Sequence, residues 1–170
     1  MEIKPVTDLS PYFGQLCTLL SATVAEGASI GFHHPLDPEI GAAYWHGVQK
    51  DTSAGTRLTL IAFEGGQVSG CVQLALAGKD NALHRAEVEK LMVHPSTRGK
   101  GLGRKLMLAL EDAANHAGRT LIMLDTRTGD IAEGLYGRMG YELAGKIPGF
   151  TLEADGSFDG TSIFYKQLNT

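Results

Sequence analysis

A chain of 170 residues with 43% hydrophobic and 20% charged residues suits one compact, soluble domain with a continuous core, and it excludes a disordered tail or a fibrous repeat. No apolar run reaches the roughly 18 residues of a membrane span, and Met1–Pro5 has no signal-peptide character, so a cytoplasmic protein with no membrane partner is expected. A net charge of −4 argues against a nucleic-acid partner and weakly favours a cationic substrate such as a protonated amine.

In chain order, Glu2–Val6 reads as a short first strand. Leu9, Phe13, Leu16, Leu20 and Val24 recur at helical spacing and predict a helix from about Thr7 to Glu26, with Asp8 or Ser10 as cap, Pro11 in the first turn and Gly27 as stop. Asp37-Pro38-Glu39 starts a second helix that runs to about Asp51. Arg57–Phe63 and Gln67–Ala77 are rich in β-formers and predict a hairpin about Gly65-Gly66. Arg85–Val93 reads as a strand, Gly101–Ala117 as a long amphipathic helix ended by Gly118, and Leu121–Asp125 as a strand. Ile131–Met139 reads as a short helix, and Tyr141–Lys146 and Ser162–Gln167 as last strands around a loop containing glycine and aspartate. Strands and helices mixed in this way predict one α/β domain over residues 1–170 with a mixed sheet.

The segment Arg98-Gly99-Lys100-Gly101-Leu102-Gly103-Arg104 joins the strand at 85–93 to the long helix. Its glycines let the backbone turn tightly and approach a ligand, while the free N–H groups and dipole at the helix start attract phosphate oxygens. Arg98, Lys100 and Arg104 add positive charge at the same place, so a pyrophosphate-bearing ligand is expected. The spacing fits neither a Walker A loop, which needs Gly-Lys-Ser/Thr, nor the dinucleotide fingerprint, since Leu106 stands where its third glycine would be. A plain glycine-rich turn is the competing reading.

Arg98-x-x-Gly101-x-Gly103 resembles the Arg/Gln-x-x-Gly-x-Gly/Ala signature of the GNAT acetyltransferase superfamily, preceded as in that family by a strand like Val88–Val93. Leu121–Asp125, Tyr136 and Gly140-Tyr141 resemble its second motif. Further stretches are similar to the tabtoxin-resistance acetyltransferases, among them Arg85-Ala86-Glu87-Val88, Leu124-Asp125-Thr126 and Ile147-Pro148-Gly149-Phe150. The resemblance implies a single GNAT domain of about seven mostly antiparallel strands, splayed at the centre and flanked by about four helices. It also implies acetyl-CoA as co-substrate, with Leu91, Met92, Val93 and residues Arg98 to Arg104 as its binding residues. A backbone N–H near Met92 or Val93 would then meet the oxyanion.

Acetyl transfer to an amine needs a base, because alkyl amines are mostly protonated at neutral pH, and an acid for the departing thiolate. Glu87 and Asp125 lie on the strands that flank the glycine turn in sequence and are the base candidates, and the resemblance places them near the reacting carbonyl. On the residues alone, Glu87 reads equally as a solvated strand residue sharing its face with Glu89, and Asp125 as a cap of the following turn. Tyr136 is the acid candidate implied by the resemblance; its helical spacing to Ala132 and Met139 also suits a core tyrosine. No His-Glu-x-x-His or paired-cysteine spacing suggests a metal, and no Gly-x-Ser-x-Gly elbow suggests a serine hydrolase. The expected activity is N-acetylation of a small-molecule amine, amino-acid-like or a toxin or antibiotic, by direct transfer. A protein or peptide acceptor and a non-catalytic CoA-sensing module are the alternatives, and the oligomeric state stays open between monomer and homodimer.

Overall fold

The computed structural model describes residues 1–168. Among these, seven strands form one sheet in the order β1-β2-β3-β4-β5-β7-β6, flanked by four α-helices. β1 (Glu2–Pro5), β2 (Arg57–Glu64), β3 (Gln67–Leu76) and β4 (Arg85–Val93) pair antiparallel. The β2–β3 hairpin turns at Gly65 (φ 57°) and Gly66 (φ 79°), the paired positive φ values that a two-residue turn requires. β5 (Leu121–Arg127) then joins β4 in parallel, which requires a crossover, and α3 (Leu102–His116) supplies it. The mixed α/β architecture is the one expected from the sequence.

Two ends differ from expectation. The chain enters α1 (Phe13–Ala25) through a 3-10 turn at Ser10–Tyr12, so the helix starts later than the apolar spacing suggested. Asp8 accepts from the Ser10 N–H at 3.0 Å ahead of that turn, and neither Asp8 nor Ser10 caps the α-helix, whose N-cap is Tyr12. α2 (Pro38–Ser53) begins as predicted, with the Asp37 carboxylate accepting from the Glu39 N–H at 2.8 Å. At the other end, β6 (Glu142–Leu152) and β7 (Phe158–Gln167) form a longer hairpin than the two short strands predicted. Pro148 has no N–H to donate and Gly149 sits at φ 61°, so the β6–β7 register breaks between Ile147 and Thr151 and resumes at Thr151↔Asp159. That break reads as a loop in the sequence.

The sheet divides two cores. On one face, α3 and α4 (Ile131–Arg138) pack Leu102, Leu106 and Leu110 against Ala86, Val88, Ile122 and Leu124. On the other, α1 and α2 bury Leu16, Leu20 and Trp45 against Ile61, Cys71 and Met92. Ala86 and Val88 thus face α3 while Met92 faces α1, although a regular strand would keep all three on one side. The inversion comes from a bulge: Lys90 has φ 51°, and the β3–β4 register shifts between Cys71 and Gln73. β4 and β5 pair only at Arg85–Glu87 with Leu121–Met123, and beyond that point they separate. The splay begins at Glu87.

Candidate active site

The glycine turn lies at the N-terminus of α3, beside the splay. Gly101 is the N-cap at φ 73°, ψ 14°, a left-handed conformation that glycine adopts without steric cost, and no side chain caps the helix. The first amides of a 15-residue helix are therefore free to donate to an anion. Arg98 and Lys100 stand beside them in long, exposed ion pairs with Glu26 (3.6 Å) and Glu64 (3.8 Å). Such pairs contribute at most about 1 kcal/mol, so both cations remain free to turn to a ligand. A Cβ at Gly103 would sit 3.7 Å from Leu135 and 3.9 Å from Val93, in the gap where β4 leaves β5. Leu102 is buried in the core and anchors the turn, whereas Arg104 is exposed. These features fit the pyrophosphate of a CoA thioester, whose pantetheine arm would run along Leu91, Met92 and Val93.

A cavity of about 320 Å³ opens at the splay. Its walls are Glu89, Lys90 and Leu91 of β4, Asp125 to Arg127 of β5, and Tyr136 of α4. The α1–α2 loop (Ala28 to Gly31) and the β6–β7 hairpin (Phe150, Thr151) bound it on two further sides. Arg127 ties these last two together: its guanidinium pairs with Asp159 (2.9 Å) and Glu153 (3.6 Å) of the hairpin and donates to the Gly27 carbonyl (3.2 Å). His33 lines an adjoining hollow of about 640 Å³ and bonds the Leu152 carbonyl at 2.8 Å, a second tie between loop and hairpin.

Of the sequence-derived candidates, Asp125 and Tyr136 share the cavity wall, while Glu87 lies one pleat back at the start of the splay. Asp125 accepts from Thr161 Oγ1 at 2.7 Å, which fixes its carboxylate. Partial desolvation raises the Glu87 pKa, helped by the nearby charges of Glu89 and Asp125 and opposed by Arg57. The Tyr136 ring is buried against Tyr141 and Phe164, with centroids 5.8 Å and 6.0 Å away. Burial, with the Asp125 and Asp130 carboxylates, pushes its phenol to about 12. Among the described residues its hydroxyl has no hydrogen-bond partner, although the side chain borders the cavity. No group of three or more His, Cys, Asp or Glu among them is arranged to hold a metal, and no helix is long and apolar enough to cross a membrane.

Sequence reasoning missed Glu89, Lys90 and Thr161. Strand alternation makes Glu89 only the mark of a solvated face, yet Arg57 holds it at the cavity edge by a 2.5 Å ion pair. Gln73 accepts from Arg57 (2.8 Å) and Tyr44 (3.0 Å), so a buried polar network supports that wall from β2, β3 and α2. The period-two face of Glu87 and Glu89 was the available signal. For Thr161 there was none, because it lay in the expected loop.

Residues 26–141 match the acetyltransferase (GNAT) family. The chain belongs to that family. Its members are acetyl-CoA-dependent N-acetyltransferases. An uncharacterized N-acetyltransferase from the hisH-hisA intergenic region of Azospirillum brasilense is 30% identical over 114 residues. That match covers 66% of this chain and 66%, just under two thirds, of the relative. A ribosomal-protein-alanine N-acetyltransferase from Brucella melitensis superposes with a TM-score of 0.83 over 99% of this chain and 100% of its own, at 20% identity. The yncA structure from Salmonella typhimurium, which contains its cofactor acetyl-CoA, superposes at 0.81 over 100% of this chain and 95% of its own, at 22% identity. The GNAT acetyltransferase of this chain thus shares its whole fold with both.

Proposed function

We propose that this GNAT acetyltransferase moves the acetyl group of acetyl-CoA directly to the primary amine of a small molecule, amino-acid-like or of the toxin and antibiotic class. The observation that carries the reading is the enclosure of the 320 Å³ cavity by the α1–α2 loop and the Arg127-tied β6–β7 hairpin. A pocket closed on those sides suits a small amine; a peptide acceptor favours an open groove. The likeness of several segments to the tabtoxin-resistance acetyltransferases points the same way.

Residues Arg98 to Arg104 would hold the pyrophosphate, and Leu91, Met92 and Val93 the pantetheine, with the free edge of β4 offering N–H groups to the reacting carbonyl. The co-substrate supplies a thioester, an acyl group already activated for attack by an amine. Glu87, or Asp125 across the splay, would take the proton from the incoming ammonium, directly or through a water. The raised pKa of Glu87 makes it a stronger base than an ordinary carboxylate. Tyr136 stays protonated to about pH 12 and would donate its hydroxyl proton to the departing sulfur, leaving a phenolate to be reprotonated from solvent.

The test is untargeted. The purified protein is incubated with isotope-labelled acetyl-CoA and a metabolite extract containing amino acids, polyamines and amine antibiotics. A labelled product that is lost in Glu87→Gln supports both acceptor class and mechanism. No small product, with binding of acetyl-CoA established in the same sample, overturns the reading in favour of a macromolecular acceptor or a CoA-sensing module.

A further inference from the structure

We propose that Lys90 binds a carboxylate on the acceptor, so that the substrate is an amine carrying an acid group and not a polyamine or another purely cationic compound. The inference rests on the acetyl-transfer reading above and narrows its acceptor.

Lys90 is the one non-glycine residue with positive φ among those described, a left-handed conformation that an L-residue adopts only against steric strain. A bulge of this kind re-aims a side chain. Here it directs the lysine stem under the α1–α2 loop, where Nζ lies 5.8 Å from the Phe32 ring centre and 5.9 Å from that of Tyr44. The aromatic faces give the ammonium partial compensation for lost water. They do not neutralise it.

Among the described residues no carboxylate forms an ion pair with Lys90, and its ammonium takes part in no hydrogen bond. Glu89, its neighbour in sequence, is engaged by Arg57 at 2.5 Å. Asp125 is held by Thr161 on the opposite wall of the cavity. Burial accordingly lowers the Lys90 pKa, with Glu89 and Asp125 opposing the shift and Arg57 adding to it. Gly31 also borders the cavity, and a Cβ there would come within 3.5 Å of Nζ, so the residue without a side chain stands where one would cover the ammonium.

The cavity therefore carries an unpaired cation on its β4 wall and a fixed carboxylate on its β5 wall. A partly buried charge without a counter-ion is costly, and a ligand that supplies the counter-ion recovers that cost on binding. A compound with an ammonium for Asp125 and a carboxylate for Lys90 complements both walls at once. A polyamine would place a second cation against Lys90.

The experiment offers the wild-type enzyme labelled acetyl-CoA and three sets of acceptors: the protein amino acids, their carboxamides, and spermidine. The same panel is run with Lys90→Met, which keeps the apolar stem, and with Lys90→Arg, which keeps the charge. The expected wild-type kcat/KM is about 10- to 100-fold higher for an acid than for its carboxamide, as a charged hydrogen bond implies. In Lys90→Met that preference collapses, mainly through KM, and Lys90→Arg recovers much of it. Equal losses on acid and carboxamide in Lys90→Met, or a wild-type preference for carboxamides or spermidine, would overturn the role of Lys90 while leaving acetyl transfer intact. Failure to acetylate any amine, with acetyl-CoA bound, would instead remove the acetyl-transfer reading and this inference with it.

Discussion

The glycine turn can be tested without knowing the acceptor, because α3 carries a left-handed glycine at each end. Gly101 caps its N-terminus at φ 73°, and Gly118 follows its C-terminus at φ 70°. A Cβ on either would meet no heavy atom within 4 Å, so Gly101→Ala and Gly118→Ala differ from wild type by backbone strain alone. That strain costs about 1–2 kcal/mol in each case. A chain of this size should lose about 2–4 °C in Tm per kcal/mol, and the two variants should lose similar amounts.

Their response to acetyl-CoA should differ. At Gly101 the strained backbone is the one that aims the first amides of α3, and a turn that relaxes its φ moves those amides away from the phosphates. A single weakened charge-assisted hydrogen bond costs roughly 1.5 kcal/mol, about tenfold in Kd. With acetyl-CoA at 100 times the wild-type Kd, ligand binding stabilises wild type and Gly118→Ala by about 2.7 kcal/mol and Gly101→Ala by only about 1.4. Calorimetric titration gives the Kd directly, and thermal unfolding with and without ligand gives the linked shift, smaller by about 3–5 °C in Gly101→Ala. Equal Kd values for Gly101→Ala and Gly118→Ala would refute the phosphate-cradle reasoning, because the turn would then be a connector and nothing more.

Tyr136→Phe keeps the ring packed against Tyr141 and Phe164 and removes a hydroxyl with no partner among the described residues. Thermal stability and acetyl-CoA affinity should hold, while kcat, read by release of free CoA, falls about 10²- to 10⁴-fold; a change under about threefold would remove Tyr136 as the acid. Glu87→Gln should slow transfer about 100-fold at pH 8. Its effect on stability has a definite sign. The folded pKa of Glu87 is raised, so its favourable contribution is present below the unfolded value near 4.5 and is lost as pH rises through the folded one. Glu87→Gln should therefore unfold at a temperature equal to or above wild type at pH 8, with the difference shrinking toward pH 4; a variant less stable at pH 8 than at pH 4, relative to wild type, contradicts the partial desolvation of Glu87 and its crowding by Glu89 and Asp125. At Gly70 an added Cβ would lie 2.8 Å from the Met92 carbonyl and 3.0 Å from Leu106. Gly70→Ala should cost about 1–3 kcal/mol in urea unfolding with an unchanged m value, and a cost under about 0.5 would show that β3 and α3 can yield there.

What could be read from the sequence and what could not follows the range of the forces involved. The geometry of the glycine turn was legible because it is local: left-handed glycines, free amides and basic side chains lie within seven residues, Arg98 to Arg104. The Gly65-Gly66 hairpin and the amphipathic face of α3 were legible for the same reason. The far side of the site is assembled from segments distant in sequence. Phe150, Thr151 and Thr161 reach the cavity only because the hairpin resumes its pairing past Pro148-Gly149, where local pattern reads as loop. Arg127 joins that hairpin to Gly27, a contact that no spacing announces.

Lys90 shows most clearly how strand alternation fails at a site. Counting by twos from the buried Ala86 and Val88 assigns Lys90 and Met92 to the α3 core. Such a count would bury an ammonium among leucines, and that cost favours a slip in the pairing. The slip occurs against Cys71–Gln73 of β3: Lys90 leaves the core, Met92 crosses to the α1 and α2 side, and Leu91 and Val93 pack toward α3. One left-handed residue thus does two things at once. It turns a cation toward the cavity, and it presents the Leu91–Val93 segment to the splay. A regular β4 would separate those two surfaces, so on the proposed reading the bulge at Lys90 would couple acceptor recognition to donor binding in a single strand.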